Sequence, residues 1–418
     1  METTHAQLQE LVGSMESHRT ALATHVRNLQ SLDRLRQLYN RQEKSNLDGN
    51  VLTGLESIYQ TIGHASATTG LVLPALESNA FDLNGARLRT GLESISRAVS
   101  KAVDLVLAAI KKILALFRRF FQAVSPSVRG RRNALYKLRQ QVLAAQGLVR
   151  PPGEIPLGKL ASRLATETSV PANGAEITAG LNELHHQYSL VVGSATGATS
   201  DLAKAFIEQL ASVKEGDSEQ WAEGILRLVR TKHPALIRNQ LHGTRTIHDS
   251  RWPQGTVYAG SAIPGQRTLV IADNLQAADN GSVGERFKAL SYSGVFLVQL
   301  ESSTNDPVKA KLPVMDTHDM LESLRRMDGL QALLEDQMLE GKEADIAALC
   351  RKLEAAVEKV GVVQDLSSGA SRALSVASSV TNWLTNPYMS FTAYVVTVLD
   401  AHQKLLTRHL EAYKAGKV

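Results

Sequence analysis

Residues 90–122 read TGLESISRAVSKAVDLVLAAIKKILALFRRFFQ. Apolar side chains recur every three or four residues along this stretch, at Ile95, Val99, Ala102, Val106, Ile110, Ile113, Phe117 and Phe120. This spacing places them on one side of an α-helix, so the stretch predicts a long amphipathic helix. Thr90 followed by Glu93 matches a capping box, which predicts that the helix begins at this point.

The second half of this helix and the residues after it are strongly basic. Residues 105–153 contain ten basic residues and no acidic residue. The whole chain has 46 basic and 41 acidic residues, a net charge of +5, so the chain outside this region has a net charge of −5. Such a local excess favours a polyanion or an anionic surface as partner, and the alternative is a solvated helix face followed by a basic loop. The candidate polyanion-binding residues are Lys111, Lys112, Arg118, Arg119, Arg129, Arg131, Arg132, Lys137 and Arg139.

Charged residues recur too often along the same helix for it to cross a membrane. Its longest uncharged run is residues 105–110, whereas a spanning helix needs about twenty apolar residues. Phe117, Phe120 and Phe121 lie beside arginines, a pattern that also fits a helix lying on a membrane surface. An α-helical membrane-active protein, pore-forming or membrane-remodelling and acting through residues 90–122, is therefore the alternative function. Packing against other helices of the chain explains the apolar face more simply.

The composition favours helices packed through aliphatic side chains. Hydrophobic residues make up 43% of the 418-residue chain, but aromatic residues only 5%. Cys350 is the one cysteine, which excludes an intrachain disulfide and a cysteine-based zinc site. Its helical context predicts a buried side chain. The N-terminus lacks the basic and apolar segments of a secretory signal, so we expect none.

The chain as a whole predicts a mainly α fold, a multi-helix bundle with long amphipathic helices and a small antiparallel β insertion. Pro126 is expected to stop the basic helix, and a second helix at about 131–146 is expected to return antiparallel to it. Short β-branched segments within 244–303 predict the sheet, with a turn at 262–266. Further helices are predicted at 5–43, 51–62, 158–167, 175–192, 199–213, 218–232, 234–241, 316–340, 342–364, 367–384 and 387–413.

Breaks in these patterns divide the chain into four segments. We predict an N-terminal helical arm that is a possible propeptide, a basic amphipathic helical hairpin, a helical subdomain with the small β insertion, and a C-terminal helical bundle. Irregular sequence at 63–89 is interpreted as the linker after the arm. The four segments are 1–77, 78–150, 151–315 and 316–418.

No motif in the chain predicts catalysis, a metal site or a cofactor. The glycine-containing stretch 193–197 lacks the Lys-Ser or Lys-Thr of a phosphate loop, and a flexible turn between helices explains it. His185 and His186 are adjacent and so point about 100° apart on a helix, which prevents both from facing one metal. Asp316 and Asp319 are explained as helix caps. An enzyme with a site in the β insertion, using His248, Asp249 or Arg251, is the remaining alternative.

The order of these elements resembles a known family. A long N-terminal helix is followed by an Ala-Leu-Glu-Ser junction at 75–78 and then by the amphipathic stretch 92–121. A mostly helical body, a small β insertion, the segment LPVMDTHDML at 312–321 and a long C-terminal helix follow. This architecture is similar to that of the internal head, or inner-body, virion structural proteins of giant tailed bacteriophages.

The resemblance implies a non-enzymatic structural protein in the capsid interior, present in the host cytoplasm during assembly. Its partners would be capsid or other internal virion proteins and, through non-specific charge, packaged DNA; a membrane is a less favoured partner. In that family a prohead protease removes an N-terminal propeptide after a small residue, any residue and Glu. Ala75, Leu76 and Glu77 match this motif before Ser78, so the resemblance implies processing after Glu77.

Overall fold

The structure of the protein is a computed structural model. The structure describes residues 2–43, 57–60, 85–166, 169–210, 218–248, 256–274, 285–286, 289, 293–299, 310–339, 342–362 and 368–415.

Most of the described residues are helical, as the sequence predicts. Two stretches of 3-10 helix occur at Gly158–Leu160 and Pro234–Gln240. The α-helices are α1 (Glu2–Glu43), α2 (Gly85–Ala145), α3 (Ala161–Leu164), α4 (Gly174–Ser189), α5 (Thr196–Leu210), α6 (Ser218–Lys232), α7 (Thr317–Leu339), α8 (Lys342–Val362), α9 (Ser368–Thr385) and α10 (Tyr388–Ala415).

The strands form two antiparallel sheets. The larger has the order β2-β3-β4-β5 and confirms the predicted insertion, with a turn that pairs Ile263 with Arg267. The smaller pairs β1 with β6 across more than 150 residues of sequence and was not predicted. The strands are β1 (Glu154–Pro156), β2 (Arg245–Ile247), β3 (Thr256–Ala259), β4 (Arg267–Asp273), β5 (Gly294–Gln299) and β6 (Lys311–Pro313).

The predicted hairpin is wrong, because α2 is one continuous helix of 61 residues with Pro126 inside it. It also begins five residues before Thr90, which is therefore not its N-cap. A proline within a helix costs about 3 kcal/mol, since it removes one hydrogen bond and crowds the preceding turn. Val124 and Val128, on either side of Pro126, are buried, and this packing opposes the local break. Gln331 of α7 also donates a 2.7 Å hydrogen bond to the Val128 carbonyl.

The apolar side of α2 lies at the centre of the core. Phe117, Phe120 and Phe121 are at most 2% exposed, and the Phe117 and Phe121 rings meet edge to face at 5.0 Å. Tyr388, at the start of α10, packs against Phe121 with ring centroids 5.5 Å apart. Cys350 of α8 is buried in the same core as predicted, and burial raises the pKa of its thiol to about 12.

α1 belongs to this core as well. Its apolar stripe, which includes Leu8, Leu22 and Leu32, is buried in the same cluster as the apolar residues of α2. Arg19 donates a 2.9 Å hydrogen bond to the hydroxyl of Thr385 in α9, and Gln30 donates one of 3.0 Å to Ser375. The first helix is therefore part of the bundle as folded. Of the interpreted linker at 63–89, residues 63–84 lie outside the described residues, and 85–89 are helical.

The glycine-containing stretch does not form the predicted flexible turn. A π-helical segment, Leu190–Ala195, joins α4 directly to α5, and it buries Val191 and Ala195. The helical backbone continues through Gly193, so the stretch does not form a loop around a phosphate.

Side-chain hydrogen bonds attach the larger sheet to the helices. The amide of Gln187 in α4 accepts from the Leu269 N–H at 3.0 Å and donates to the Ser261 carbonyl at 2.7 Å. The Trp383 indole of α9 donates to the Ser293 carbonyl at 2.9 Å. These bonds satisfy buried polar groups and fix the sheet against the bundle.

Candidate polyanion-binding surface

All nine candidate cations lie on α2, but the helix distributes them over different faces. Because successive residues differ by about 100° around the axis, a cluster in sequence does not become a cluster in space. Some side chains point toward neighbouring helices and others toward solvent. The two groups differ in their partners and therefore in what they can bind.

Five of the nine cations form ion pairs with carboxylates of α7, α8 and α10. The pairs at the surface have side chains that are between about one seventh and three quarters exposed, so solvent and salt weaken their attraction. These five are already neutralised by the protein itself. The pairs are Lys111 with Glu358, Arg118 with Glu354 (3.7 Å), Arg131 with Asp400 (2.8 Å), Arg132 with Glu335 (3.2 Å) and Arg139 with Asp328 (2.6 Å).

Arg131 is a structural residue within this set. Its side chain is 1% exposed, and both Nε and Nη2 donate to Oδ1 of Asp400, at 3.1 and 2.8 Å. Nη2 also lies 3.4 Å from the Ser127 hydroxyl. A guanidinium held in this way cannot reach an external phosphate, so Arg131 is removed from the candidate surface.

The four remaining cations are Lys112, Arg119, Arg129 and Lys137, and all are exposed. None of them forms an ion pair with a carboxylate of the described residues. At about 100° per residue, three of the four lie within about 20° of each other around the axis, and Arg129 lies about 80° away. At about 1.5 Å per residue the set extends roughly 37 Å along the helix. We call these four residues the α2 cation row.

A groove between α1 and α2 lies beside the middle of the row. It encloses about 610 Å³ and is lined by Arg119 together with Glu10 and Gln7 of α1. Among the described residues, Glu10 is the one acidic residue that lines this groove. Tyr136 is 64% exposed and lies two turns beyond Arg129 on the same side of the helix. An accessible aromatic ring therefore lies near Arg129, on a different side of the helix from the other three cations.

The apolar residues that suggested a membrane surface do not face outward. Phe117, Phe120 and Phe121 are buried in the core, so the packing explanation of this helix face is confirmed. Among the described residues, no helix is long and apolar enough to cross a bilayer.

The histidines near the sheet form an arrangement that the sequence did not indicate. The rings of His186 and His242 stack in parallel with centroids 3.7 Å apart, and His242 Nδ1 lies 3.2 Å from a carboxylate oxygen of Glu183. His186 Nε2 lies 2.9 Å from the Gln240 carbonyl oxygen. Within the described ranges, no three His, Cys, Asp or Glu side chains are placed to hold a metal ion.

Other predicted positions have mixed outcomes. Asp316 caps α7 as predicted, because its carboxylate accepts from the Asp319 N–H at 2.7 Å. The residues of the implied processing site, 75–78, lie outside the described part of the chain, as do Asp249 and Arg251.

The sequence analysis did not find Arg163, Arg267 and Tyr394, which line one cleft. These residues are too far apart in the chain for any sequence motif to contain them.

Comparison with protein families gives a match over most of the chain. The model of the phiKZ-like phage internal head proteins matches residues 2–406. Neither the curated proteins nor the solved structures gave a match to this chain. The matched range includes α2 and the whole β insertion, and it confirms the resemblance drawn from the sequence. Since the family model matches far more than half of the sequence, the chain belongs to the phiKZ-like phage internal head proteins, structural proteins of the capsid interior.

Proposed function

We propose that this internal head protein is packaged with the phage DNA and contacts it through the α2 cation row. The observation that carries the proposal is the separation of the nine cations into five paired residues and four exposed ones. Exposed Lys and Arg side chains bind phosphates without reading sequence, because each contact releases counterions from the DNA. The row extends over roughly one turn of B-DNA, about 34–36 Å, so several phosphates lie within its reach.

The same proposal gives the protein no catalytic role. Its partners inside the head are DNA and the capsid or other internal proteins, and its synthesis and assembly take place in the host cytoplasm. The exposed Tyr136 beside the row offers a stacking surface to a base or a contact to a neighbouring protein.

We expect that removing the α2 cation row weakens DNA binding at least about tenfold at low salt. The variant is Lys112→Gln, Arg119→Gln, Arg129→Gln and Lys137→Gln in the full chain, and the measurement is a mobility shift with a random-sequence duplex. The matched control changes Lys111, Arg118, Arg132 and Arg139 to Gln, which alters the net charge equally on the same helix. Because these cations are already paired, the control is expected to lose clearly less affinity.

Two results would contradict the proposal. One is wild-type protein that does not shift DNA at low salt. The other is an equal loss of DNA affinity in the two variants, which would indicate that binding depends on net charge alone. Urea unfolding of each variant verifies that the change in binding does not come from a loss of folding.

We further propose that a prohead protease cuts after Glu77 during maturation. Because α1 is buried against α2 and hydrogen-bonded to α9, a cut at this bond leaves α1 held in the bundle without a covalent link. Sequencing the N-terminus of protein taken from the native particle tests the cut. A start at Ser78 alongside the Met1 fragment is expected, and an uncut chain would reject processing.

A further inference from the structure

A cleft of about 480 Å³ opens between the N-terminal part of α1, α3, α10 and the turn that precedes β4. This volume is within the range of small-molecule sites, about 300–1,000 Å³. Its apolar walls come from Leu8, Val12, Ala393 and Val398. The cleft therefore has room and an apolar surface for a ligand with a hydrophobic or aromatic body.

Two arginines bring positive charge into this cleft. Arg163 of α3 and Arg267 of β4 both line it, and no acidic residue of the described part of the chain does. Neither guanidinium forms an ion pair with a carboxylate of the described residues. The Arg267 guanidinium lies over the ring of Tyr394, 4.9 Å from its centroid, which holds it at the cleft wall.

The hydroxyl of Tyr394 supplies a buried polar group without a partner. Tyr394 is 8% exposed, it lines the cleft, and its Oη has no hydrogen-bond partner among the described residues. A buried hydroxyl in this state is unfavourable, because the hydrogen bonds that it makes to water in the unfolded chain are not replaced. Burial raises the pKa of Tyr394, although Arg267 opposes this, so the hydroxyl keeps its proton and is available as a donor.

The turn beside the cleft is fixed in an unusual backbone conformation. The Ala165 carbonyl accepts hydrogen bonds from the N–H groups of Gly265, at 2.6 Å, and Gln266, at 3.0 Å. Gln266 has φ of 57°, which a residue other than glycine seldom adopts. A Cβ at Gly265 would lie 2.6 Å from the Tyr394 hydroxyl, so only glycine permits this close approach. The turn therefore positions Arg267 and Tyr394 together.

We propose that this cleft binds a phosphate monoester that carries an apolar or aromatic body, such as a nucleotide. The two guanidiniums donate to the phosphate oxygens in the fork geometry that suits them, and the Tyr394 hydroxyl donates the third hydrogen bond. The apolar wall packs against the body of the ligand. A free nucleotide and the 5′-phosphorylated end of a nucleic acid strand share this chemistry.

The cleft is separate from the α2 cation row. Leu8, Gln9, Val12 and Gly13 of α1 line the cleft, whereas Gln7, Glu10, Leu11 and Ser14 line the groove beside Arg119. The two sites thus lie on different sides of α1. Failure of one proposal leaves the other unaffected.

Titration calorimetry of the full chain with thymidine 5′-monophosphate tests the proposal, with thymidine as the ligand that lacks phosphate. Binding of the monophosphate and no binding of thymidine is the expected result. The Arg163→Gln/Arg267→Gln variant is expected to bind at least about tenfold more weakly. Arg227→Gln, which changes an exposed arginine of α6 that does not line the cleft, is expected to bind as wild type does.

Tyr394→Phe separates binding from folding. Removing a buried hydroxyl that has no partner should leave the thermal midpoint unchanged or raise it, while affinity for the monophosphate falls about fivefold or more. The proposal is overturned if the monophosphate does not bind, or if the double arginine variant binds it as wild type does.

Competition with short single strands identifies the source of the phosphate. Displacement by a 5′-phosphorylated strand, but not by its 5′-hydroxyl equivalent, supports a strand end as ligand. Displacement by neither strand supports a free nucleotide. Equal displacement by both strands would overturn the requirement for a phosphate monoester.

Discussion

Lowering the pH from 7 to 5 is expected to reduce the free energy of unfolding by about 5–6 kcal/mol through three buried histidines. His233, His402 and His409 are each at most 1% exposed. Burial lowers their pKa values to about 3, 4 and 4, against an ordinary value of 6.5. Because domains are stable by about 5–15 kcal/mol, a loss of this size brings the protein close to unfolding.

The direction follows from the proton balance. Below pH 6.5 the unfolded chain binds a proton at each histidine, and the folded chain does not. The contribution of these histidines to the free energy of unfolding is therefore fully present above pH 6.5 and is lost as the pH falls toward 4. Hydrogen bonds support the neutral form: Nδ1 of His233 accepts from Ala235 N–H and Nδ1 of His409 accepts from Met315 N–H. Burial also raises the pKa of Asp33 and Asp328, which acts in the opposite direction.

Urea unfolding monitored by circular dichroism at pH 7 and pH 5 measures the effect. His409→Asn keeps an acceptor near the Met315 N–H but removes the titration, so it should reduce the loss between the two pH values by about 2 kcal/mol. Thr407→Asn, which changes an exposed residue of α10 that does not titrate, should leave the loss unchanged. If the free energy of unfolding falls by the same amount between pH 7 and pH 5 in wild type and in His409→Asn, the proposed role of His409 is contradicted.

Arg131→Met is expected to lower the free energy of unfolding by about 3–5 kcal/mol. Asp400 is 16% exposed at its side chain and receives two hydrogen bonds from Arg131, so the variant leaves its charge largely buried without a partner. Arg132→Met is the matched control one residue away. Its pair with Glu335 is at the surface, with Arg132 72% exposed, and it should cost less than about 1 kcal/mol.

A double variant separates the cost of a buried charge from the loss of packing. Arg131→Met with Asp400→Leu removes both charges and keeps most of the volume, so it should be more stable than Arg131→Met alone. Equal stability of Arg131→Met and Arg132→Met would show that the pair is not structural.

Periodicity predicted the bundle well, because it depends on local spacing. The stripe from Ile95 to Phe120 in α2 is buried as expected, and the helix predicted at 5–43 is the helix Glu2–Glu43. The break at Pro126 was wrong, because a local rule for proline took no account of the packing of Val124 and Val128 on either side of it. The β1–β6 pair was missed, since each strand has three residues and carries no pattern of its own.

The candidate surface was predicted only in part. The sequence placed nine cations in one region, but their carboxylate partners, such as Glu354 and Asp400, lie more than 200 residues away along the chain. No spacing rule connects residues at that distance. Burial of Arg131 and exposure of Lys112 both depend on which helices pack against α2, which only the folded structure supplies.

The salt dependence of DNA binding tests most directly the claim that four of the nine cations, those of the α2 cation row, are available. For B-DNA the slope of log K against log salt concentration is about −0.9 for each phosphate neutralised, so four contacts predict a slope of about −3.6 for the full chain. A slope near −8 would mean that all nine cations reach phosphates and that the ion pairs with α7, α8 and α10 do not hold them. A slope near zero would remove DNA as the partner of this surface.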